Sequence, residues 1–539
     1  DSKASPFGGD LEGAGNREAS TTLGILASYA RNRYLVQPSE QETTFGTFNR
    51  PLRLFVAFDG QELMQFDTYQ GGLKLSHRFQ KGKVDWIASV MNTREREFLD
   101  VESGYRLCQV GTEFGKKDFN KCVSTIGIGT NFDHARNTLL ATVSSLEHKG
   151  LLYDANARNS VEWGIKYSKE IIHDELFEYS FADSSDFVID LQSTKTSIDL
   201  NTNRLSSFIQ YNLVIDPSKT LNLGYRLSIW DFNNQLLFSP RIQYSWKPKW
   251  KKDVVFRSAI GIYQQPPFYR ELRDKDGMIN DSLKAQTSIH AVFGGDMNFK
   301  AWGRDFKLVS EAYFKYIFNV IPYDIDNVKI RYFANNNAKA YATGLDLRVS
   351  GEFIKGAQSW FSLGYLTTKE DIEDDYYDVY YDSTGEEIFP NLDGYDKVAY
   401  MDSLQPGYIR RSTDQRLTVG IFFQDHIPNN PSLKMYLNLV FGTGLPFGPP
   451  GSKKYRNFAT APRYQRVDIG FSKLIKFYDK GVDRKKRVES IWLGLEILNL
   501  LGYNNTISYI WVEDVFSTKW AVPNHLSARF YNLRIIAKF

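Results

Sequence analysis

Long hydrophobic runs are missing from this 539-residue chain. None approaches the 18–20 apolar residues of a membrane helix, so no helical span is expected. Cysteine is nearly absent too: Cys108 and Cys122 are the only two, too few for a cysteine metal cage or a multi-bridge scaffold. In an exported protein the pair could bridge and stabilise its loop by up to ~3 kcal/mol. Two free thiols remain the equal alternative. The seven histidines are scattered without paired spacing, so no metal site and no cofactor are expected. No Gly-x-Ser-x-Gly motif precedes a helix, and the chain is not expected to be an enzyme. With 66 basic against 63 acidic residues the net charge is only +3. That balance offers no basic stripe for nucleic acid; the densest basic runs, Lys247 to Lys252 and Arg484 to Arg487, read as turns. No Pro/Gly/Ser-rich linker divides the chain, although its length exceeds that of a usual single domain. Asp1 to Pro6 lacks the apolar core of a signal peptide, which for an exported barrel implies a leader removed or not included.

What is present is aromatic and alternating. Aromatics make up 15% of the chain, with 32 Tyr and 38 Phe, and rings with a polar tip suit a membrane–water boundary. A period of two recurs from end to end. Leu221, Leu223, Tyr225, Leu227 and Ile229 share one face, opposed by Asn222, Gly224, Arg226 and Ser228. Leu345, Leu347 and Val349 oppose Gly344, Asp346, Arg348 and Ser350, and Leu433 to Phe441 repeats the pattern. A helix would scatter these residues around its circumference, whereas a strand collects them on one side. Many segments run to roughly 9–11 residues, the length a tilted strand needs to cross a bilayer. The second face, rich in Gly, Ser, Asn, Asp and Arg, suits a hydrated lumen. A mean hydropathy of −0.39 is compatible with this, because only alternate residues meet lipid.

Connections alternate in length. Gln80 to Lys83, Asp216 to Lys219, Lys247 to Lys252 and Pro428 to Pro431 are short; Arg94 to Arg136, Gln264 to Gln286, Thr368 to Asp414 and Gly442 to Arg463 are long. Short periplasmic turns and long extracellular loops define barrels of the bacterial outer membrane. The expectation is therefore an all-β, transmembrane antiparallel β-barrel of about 18 strands, spanning residues 21–539 after an N-terminal loop or turn at 1–20. The final strand places Tyr531, Leu533, Ile535, Ala537 and Phe539 on one face. A terminal Phe on such a strand looks like the signal read by the barrel-assembly machinery.

Several short stretches, in order, resemble one family. They are Gln265-Pro266-Pro267-Phe268-Tyr269-Arg270-Glu271-Leu272, Leu283 to Gln286, Tyr332 to Ala338 leading into Tyr341 to Asp346, Thr413-Asp414-Gln415-Arg416, Gly442 to Gly448, Arg466 to Gly470 and Leu495 to Leu500. From Gln265 onward the chain resembles the barrel of TonB-dependent outer-membrane receptors, particularly those of Bacteroidetes. The resemblance implies uptake of a scarce solute such as a siderophore, cobalamin or glycan. It also implies outer-membrane lipid, the TonB energy-coupling system and a surface lipoprotein as partners. The family barrel has 22 strands and encloses an N-terminal plug that carries the TonB-binding segment. Neither plug nor segment is found before the first strand, so the chain is expected to be the C-terminal part of a longer receptor.

The candidate ligand-binding residues are Asp371, Glu373, Asp374, Asp375, Tyr376, Tyr377, Tyr380 and Tyr381, an acidic and aromatic loop suited to a cationic or metal-bearing ligand or to sugar rings. Tyr269 and Arg270 join them, with closure of the barrel mouth as the alternative role. Two further readings of the chain stand beside transport. One is a structural or assembly component of a larger outer-membrane complex; the other is a passive porin constricted by Arg226, Asp346 and Arg348.

Overall fold

A computed structural model of the protein describes residues 19–538, apart from 38–39, 48–49, 157, 185–186, 327–328, 354–356, 390–393, 428–429, 477–489, 514–518 and 526–527. The turn expected at Pro428-Asn429, the basic run Arg484 to Arg487, Phe539 and nearly all of the N-terminal segment 1–20 lie outside these described residues.

The described chain is almost entirely strand. The first wall strand, β1, comprises Ser20–Val36 and, after a break, Gln41–Thr47; both pieces pair with β2, Arg50–Phe79. There follow β3 (Gly82–Val110), β4 (Cys122–Tyr153), β5 (Ser160–Ser184), β6 (Phe187–Asp216), β7 (Lys219–Trp230), β8 (Gln235–Trp246) and β9 (Asp253–Gln265). The wall continues with β10 (Gln286–Ala301), β11 (Arg304–Val320), β12 (Ala338–Gly351), β13 (Gln358–Ile372), β14 (Leu417–Ile427), β15 (Asn430–Gly442), β16 (Tyr464–Lys476), β17 (Ser490–Leu498) and β18 (Phe530–Lys538). Each pairs antiparallel with the next. The twenty-stranded sheet thus amounts to eighteen wall strands, once the broken β1 counts as one and the two-residue Ile409–Arg410 is taken as an outlier of β14. This agrees with the count expected from alternation.

The cross-strand register sorts side chains onto two faces. Asn222, Gly224 and Arg226 stand in rows with Asn212, Gln210 and Phe208 on one side and Gln243, Arg241 and Ser239 on the other. Asp346 and Arg348 stand in rows with Glu311 and Val309 on one side and Gly364 and Ser362 on the other. The alternate positions, including Leu73, Ile165, Leu223, Ile260, Phe293, Leu345, Leu495 and Leu533, are large, apolar and exposed. A band of such side chains is stable only where hydrocarbon covers it. The fold is a transmembrane antiparallel β-barrel wall, apolar outside and polar within.

One expectation needs correcting. Arg94 to Arg136 is not a loop: β3 and β4 run through it and only residues 111–121 connect them. These extensions carry charged and polar residues on both faces, so the apolar stripe that marks a lipid-facing strand is missing while the period of two persists. Strands β2 to β6 reach 25–32 residues, far beyond the ~9–11 that a crossing needs. One side of the barrel therefore stands tall above the loop rim. Cys108 and Cys122 are joined in a disulfide across the top of β3 and β4, with Cα atoms 5.6 Å apart.

At the loop rim a hairpin from the C-terminal part of the chain packs on the early strands of the sheet. Between β17 and β18, the hairpin Thr506–Glu513/Lys519–His525 lays Ile510, Trp520 and Val522 against Leu52, Leu54 and Val56 of β2 and Tyr105 and Leu107 of β3.

The two faces make opposite demands. Leu223→Arg, pointing outward, should cost about 2–4 kcal/mol of barrel stability, whereas Asn222→Arg, pointing inward, should cost under about 1 kcal/mol. Equilibrium unfolding from detergent or lipid would check this; equal costs would reverse or abolish the assigned faces.

Candidate functional site: the barrel mouth

Two prolines start the site. Pro266 and Pro267 have no N–H to give a ladder, so the chain leaves the wall after β9 and turns inward. A single 3-10 turn, Tyr269–Leu272, follows, with the Glu271 carboxylate accepting the Phe268 N–H at 3.1 Å. The loop 266–285 then packs Leu272 and Leu283 into a buried cluster with Ile321 and Ala334 from the loop 321–337. Ile172, Leu200 and Trp230 from the inner faces of β5, β6 and β7 complete it. Asparagine side chains stitch the two loops together. Asn280 Nδ2 donates to the Ala334 carbonyl at 2.8 Å, and Asn336 Oδ1 accepts from the Lys284 N–H at 2.6 Å.

Ion pairs tie these loops across the mouth to a ladder of acids on the tall strands. Asp174 on β5, almost fully buried, accepts the Tyr269 hydroxyl at 2.6 Å and pairs with Arg273. Arg270 pairs with Glu95 on β3. From the small hairpin Tyr323–Asp326/Lys329–Tyr332, Lys329 pairs with Glu97 on β3 and Arg331 with Glu178 on β5 at 3.0 Å. Asn137 on β4 donates to both Glu97, at 2.9 Å, and Glu178, at 2.6 Å, spacing the two acids. A third loop joins from the far side. Arg456 donates to Glu370 at 3.0 Å and to the Tyr323 carbonyl at 2.8 Å, while Gly451 N–H reaches Asp324 at 2.9 Å.

Burial makes this network sensitive to protons. Burial, with the Asp326 carboxylate nearby, pushes Asp133 on β4 up to about 6, against the pull of Lys329. Burial also raises Glu62, to which neighbouring Glu97 adds. For Glu97 itself, burial is outweighed by Lys329 and the Asn137 hydrogen bond, and its value falls below the ordinary range.

The residues singled out in the sequence divide into two groups. Tyr269 and Arg270 are engaged with Asp174 and Glu95. The acidic and aromatic loop forms a separate three-stranded sheet, Tyr377–Tyr381 between Glu387–Ile388 and Tyr400–Leu404. Asp371 pairs with Lys339 at 3.2 Å, the Glu373 N–H donates to the Asn337 carbonyl at 2.7 Å, and Asp375 is buried. Asp374 holds a left-handed φ of 61°. Tyr376 is exposed, Tyr377 carries the Lys454 ammonium over its ring, and Tyr381 stacks on Tyr400 at 4.9 Å. Tyr380 stands in register with Ile388 and Met401. Tyr531, Leu533 and Ile535 are exposed on the outer face of β18, and Ala537 shares that face. Among the described residues no cluster of three or more metal-ligating side chains forms.

Two stretches used for the resemblance turn out to be hydrogen-bond hubs. Asp414, fully buried, accepts from Arg410 at 2.7 Å, Arg416 at 2.9 Å and the Thr368 N–H at 2.8 Å. Asp468 accepts from Arg466 at 2.6 Å and the Asn499 N–H at 2.9 Å. The residues missed in the sequence are Glu95, Glu97, Asp174 and Glu178. Alternation through Glu170, Ile172, Asp174, Leu176 and Glu178 was the signal that could have found an inward-facing acid row.

The pH dependence has a definite sign. Asp133 titrates higher in the folded protein than its ordinary 3.8, so the folded mouth binds the extra proton. The stabilising effect is complete below about pH 4 and is lost as pH rises through about 6. Hydrogen exchange of residues 323–332 should slow as pH falls from 7 to 5, after correction for intrinsic rates. Asp133→Asn should remove most of that change; an unchanged profile in the variant would sink the assignment.

No family model matches the chain, and no curated protein matches it. Solved structures do. The chain is similar to the copper transporter OprC at 11% identity, over 97% of this chain and 81% of that one, with a TM-score of 0.50. The outer membrane transporter YddB from Escherichia coli matches at 9% identity over 94% and 75% of the two chains, with a TM-score of 0.48. The siderophore receptor PirA from Pseudomonas aeruginosa matches at 11% over 94% and 80%, with a TM-score of 0.45. At such identities the likeness is one of architecture, and the match to OprC carries it: this chain has the fold of a bacterial outer-membrane β-barrel.

Proposed function

We propose that the protein is the barrel of an outer-membrane receptor that takes up a scarce solute, with the loop rim outside the cell. The observation that carries this reading is the mouth itself. Loops 266–285 and 321–337 are folded inward and tied by Arg270, Arg273, Lys329 and Arg331 to the acids of β3 and β5. A passive pore has no use for a tied roof, whereas a receptor must hold its passage shut until solute arrives. The exposed Tyr376 and the stacked Tyr381–Tyr400 pair, with the acids beside them, offer a first contact for a cationic or metal-bearing solute or for sugar rings.

Passage is driven, in this reading, by the TonB system acting on a plug. The family resemblance supports that, and it is also the support for a Bacteroidetes-type receptor with a surface lipoprotein partner. Further strands would fit the same picture. Among the described residues, β1 pairs only with β2 and β18 only with β17, leaving the outer edge of each open to a partner. An unpaired strand edge is untenable in hydrocarbon.

Opening the roof should expose the passage. Asp174→Ala leaves the half-buried Arg273 and the Tyr269 hydroxyl without their partner, at a cost of about 2–4 kcal/mol to loop docking. In planar bilayers the native protein should hold no steady conductance and the variant should flicker open; uptake in cells should collapse when the TonB system is deleted. A steady ohmic current through the unaltered protein would falsify the receptor reading in favour of a porin.

A further inference from the structure

We propose a site on the outside of the barrel for a membrane lipid whose headgroup carries phosphate. It rests on the membrane-spanning reading above, and concerns the outward face of β1, β2 and β3.

The register writes this face as rows. Starting near the turn rim, Leu23–Leu75–Trp86 and Ile25–Leu73–Ala88 are apolar. Next come Ala27–Gly71–Val90 and Tyr29–Tyr69–Asn92, and above them Arg31–Asp67–Arg94 and Arg33–Gln65–Arg96. Gln80-Lys81 is the turn between β2 and β3, which puts the arginine rows about 12–15 residues up the strand, where a tilted crossing of 9–11 residues has just ended. Tyr29 and Tyr69 stack at 4.8 Å, an aromatic pair at the level where membrane gives way to headgroups.

Four arginines therefore stand as a rectangle, about 10 Å across the strands and about 7 Å along them. One is neutralised. Asp67 accepts Arg31 Nε at 2.6 Å and is further bonded by the Tyr29 hydroxyl at 3.1 Å and Gln65 at 3.0 Å, so its lone pairs are committed. Arg33, Arg94 and Arg96 have no acidic partner among the described residues, and Arg96 Nε is buried without a hydrogen bond. Like charges placed this close repel, so their clustering needs a counter-charge. Guanidinium groups pair with phosphate through two parallel hydrogen bonds, a geometry lysine lacks.

Directly below lies a groove. It is an open groove of about 490 Å³, lined on its outward side by Ala27, Tyr29, Tyr69, Gly71, Val90 and Asn92. Its depth comes from Gly71: a Cβ there would meet Val90 at an ordinary 3.6 Å, so a side chain is sterically allowed and its omission leaves space. An apolar groove that ends under three uncompensated cations has the layout of an acyl chain below a phosphorylated headgroup. A soluble anion would use the cations and leave the groove empty.

The test uses the full chain in phosphatidylcholine nanodiscs doped with lipid A, either bis-phosphorylated or with both phosphates removed. Lipid retained after mild detergent extraction is counted by native mass spectrometry. The phosphorylated form should be retained about ten-fold better. The triple variant Arg33→Gln/Arg94→Gln/Arg96→Gln should lose that preference. Gly71→Leu should lower retention with every cation intact, and Lys169→Gln, an exposed cation on β5, should change nothing. Equal retention of the two lipids, or a triple variant that behaves as the native chain, would overturn the proposal. Displacement of the lipid by millimolar inorganic phosphate would overturn the choice of a lipid over a free anion. A chain that never enters the discs would instead overturn the membrane reading itself.

Discussion

In hydrocarbon, a backbone N–H or C=O has no water to turn to, and each one left unpaired costs several kcal/mol. An extended chain can cross such a medium only as part of a laterally continuous ladder, and the rest of this molecule follows from that condition. It forces antiparallel neighbours joined by tight turns, as at Gln80-Lys81 and Pro217-Ser218. It forces one face of every strand to be apolar and leaves the other free for polar residues. It also places irregular backbone at the rims, where Pro266 and Pro267 can turn the chain inward because water is again at hand.

Once the ladder is in place, its height becomes a variable that hydrocarbon does not set. Strands β2 to β6 continue well past the apolar band, and the inward face of that extension carries Glu95, Glu97, Asp174 and Glu178. The tall wall works as a fence onto which cationic loops from the shorter side are moored. Buried ion pairs are poor sources of net stability against an apolar alternative, yet breaking one is expensive. In the proposed receptor, that combination suits a roof that sits in one place and can still be released. The same two-faced logic on the outside turns rows of the sheet into a graded surface, apolar, then aromatic, then cationic.

Much of the barrel was legible in the chain. The face assignments at Leu223 against Asn222, or Leu345 against Asp346, need only the period of a strand, and register preserved them. The strand count followed from the same alternation. The extensions of β3 and β4 between Arg94 and Arg136 were not legible as strand, because both faces there are wet and no apolar stripe distinguishes strand from loop. Glu95 and Glu97 were hidden for the same reason, whereas Asp174 and Glu178 sat in a readable alternation whose inward face only the register identifies. Asp414 and Asp468 could be noticed as parts of short motifs, but only packing revealed them as hydrogen-bond hubs at the tops of the strands.

By itself, the order of residues determined a lipid-facing and a water-facing side for each strand, the places where strands must break, and the absence of any long apolar helix. Those are local properties, set by side-chain period and by the chemistry of proline and glycine. Only the tertiary structure decided that Arg273 meets Asp174 across 99 positions of sequence, that Cys108 and Cys122 are bonded, and that four arginines from two different strands share one patch. Such meetings depend on register and on the curvature of the whole sheet, and no short stretch of sequence contains either.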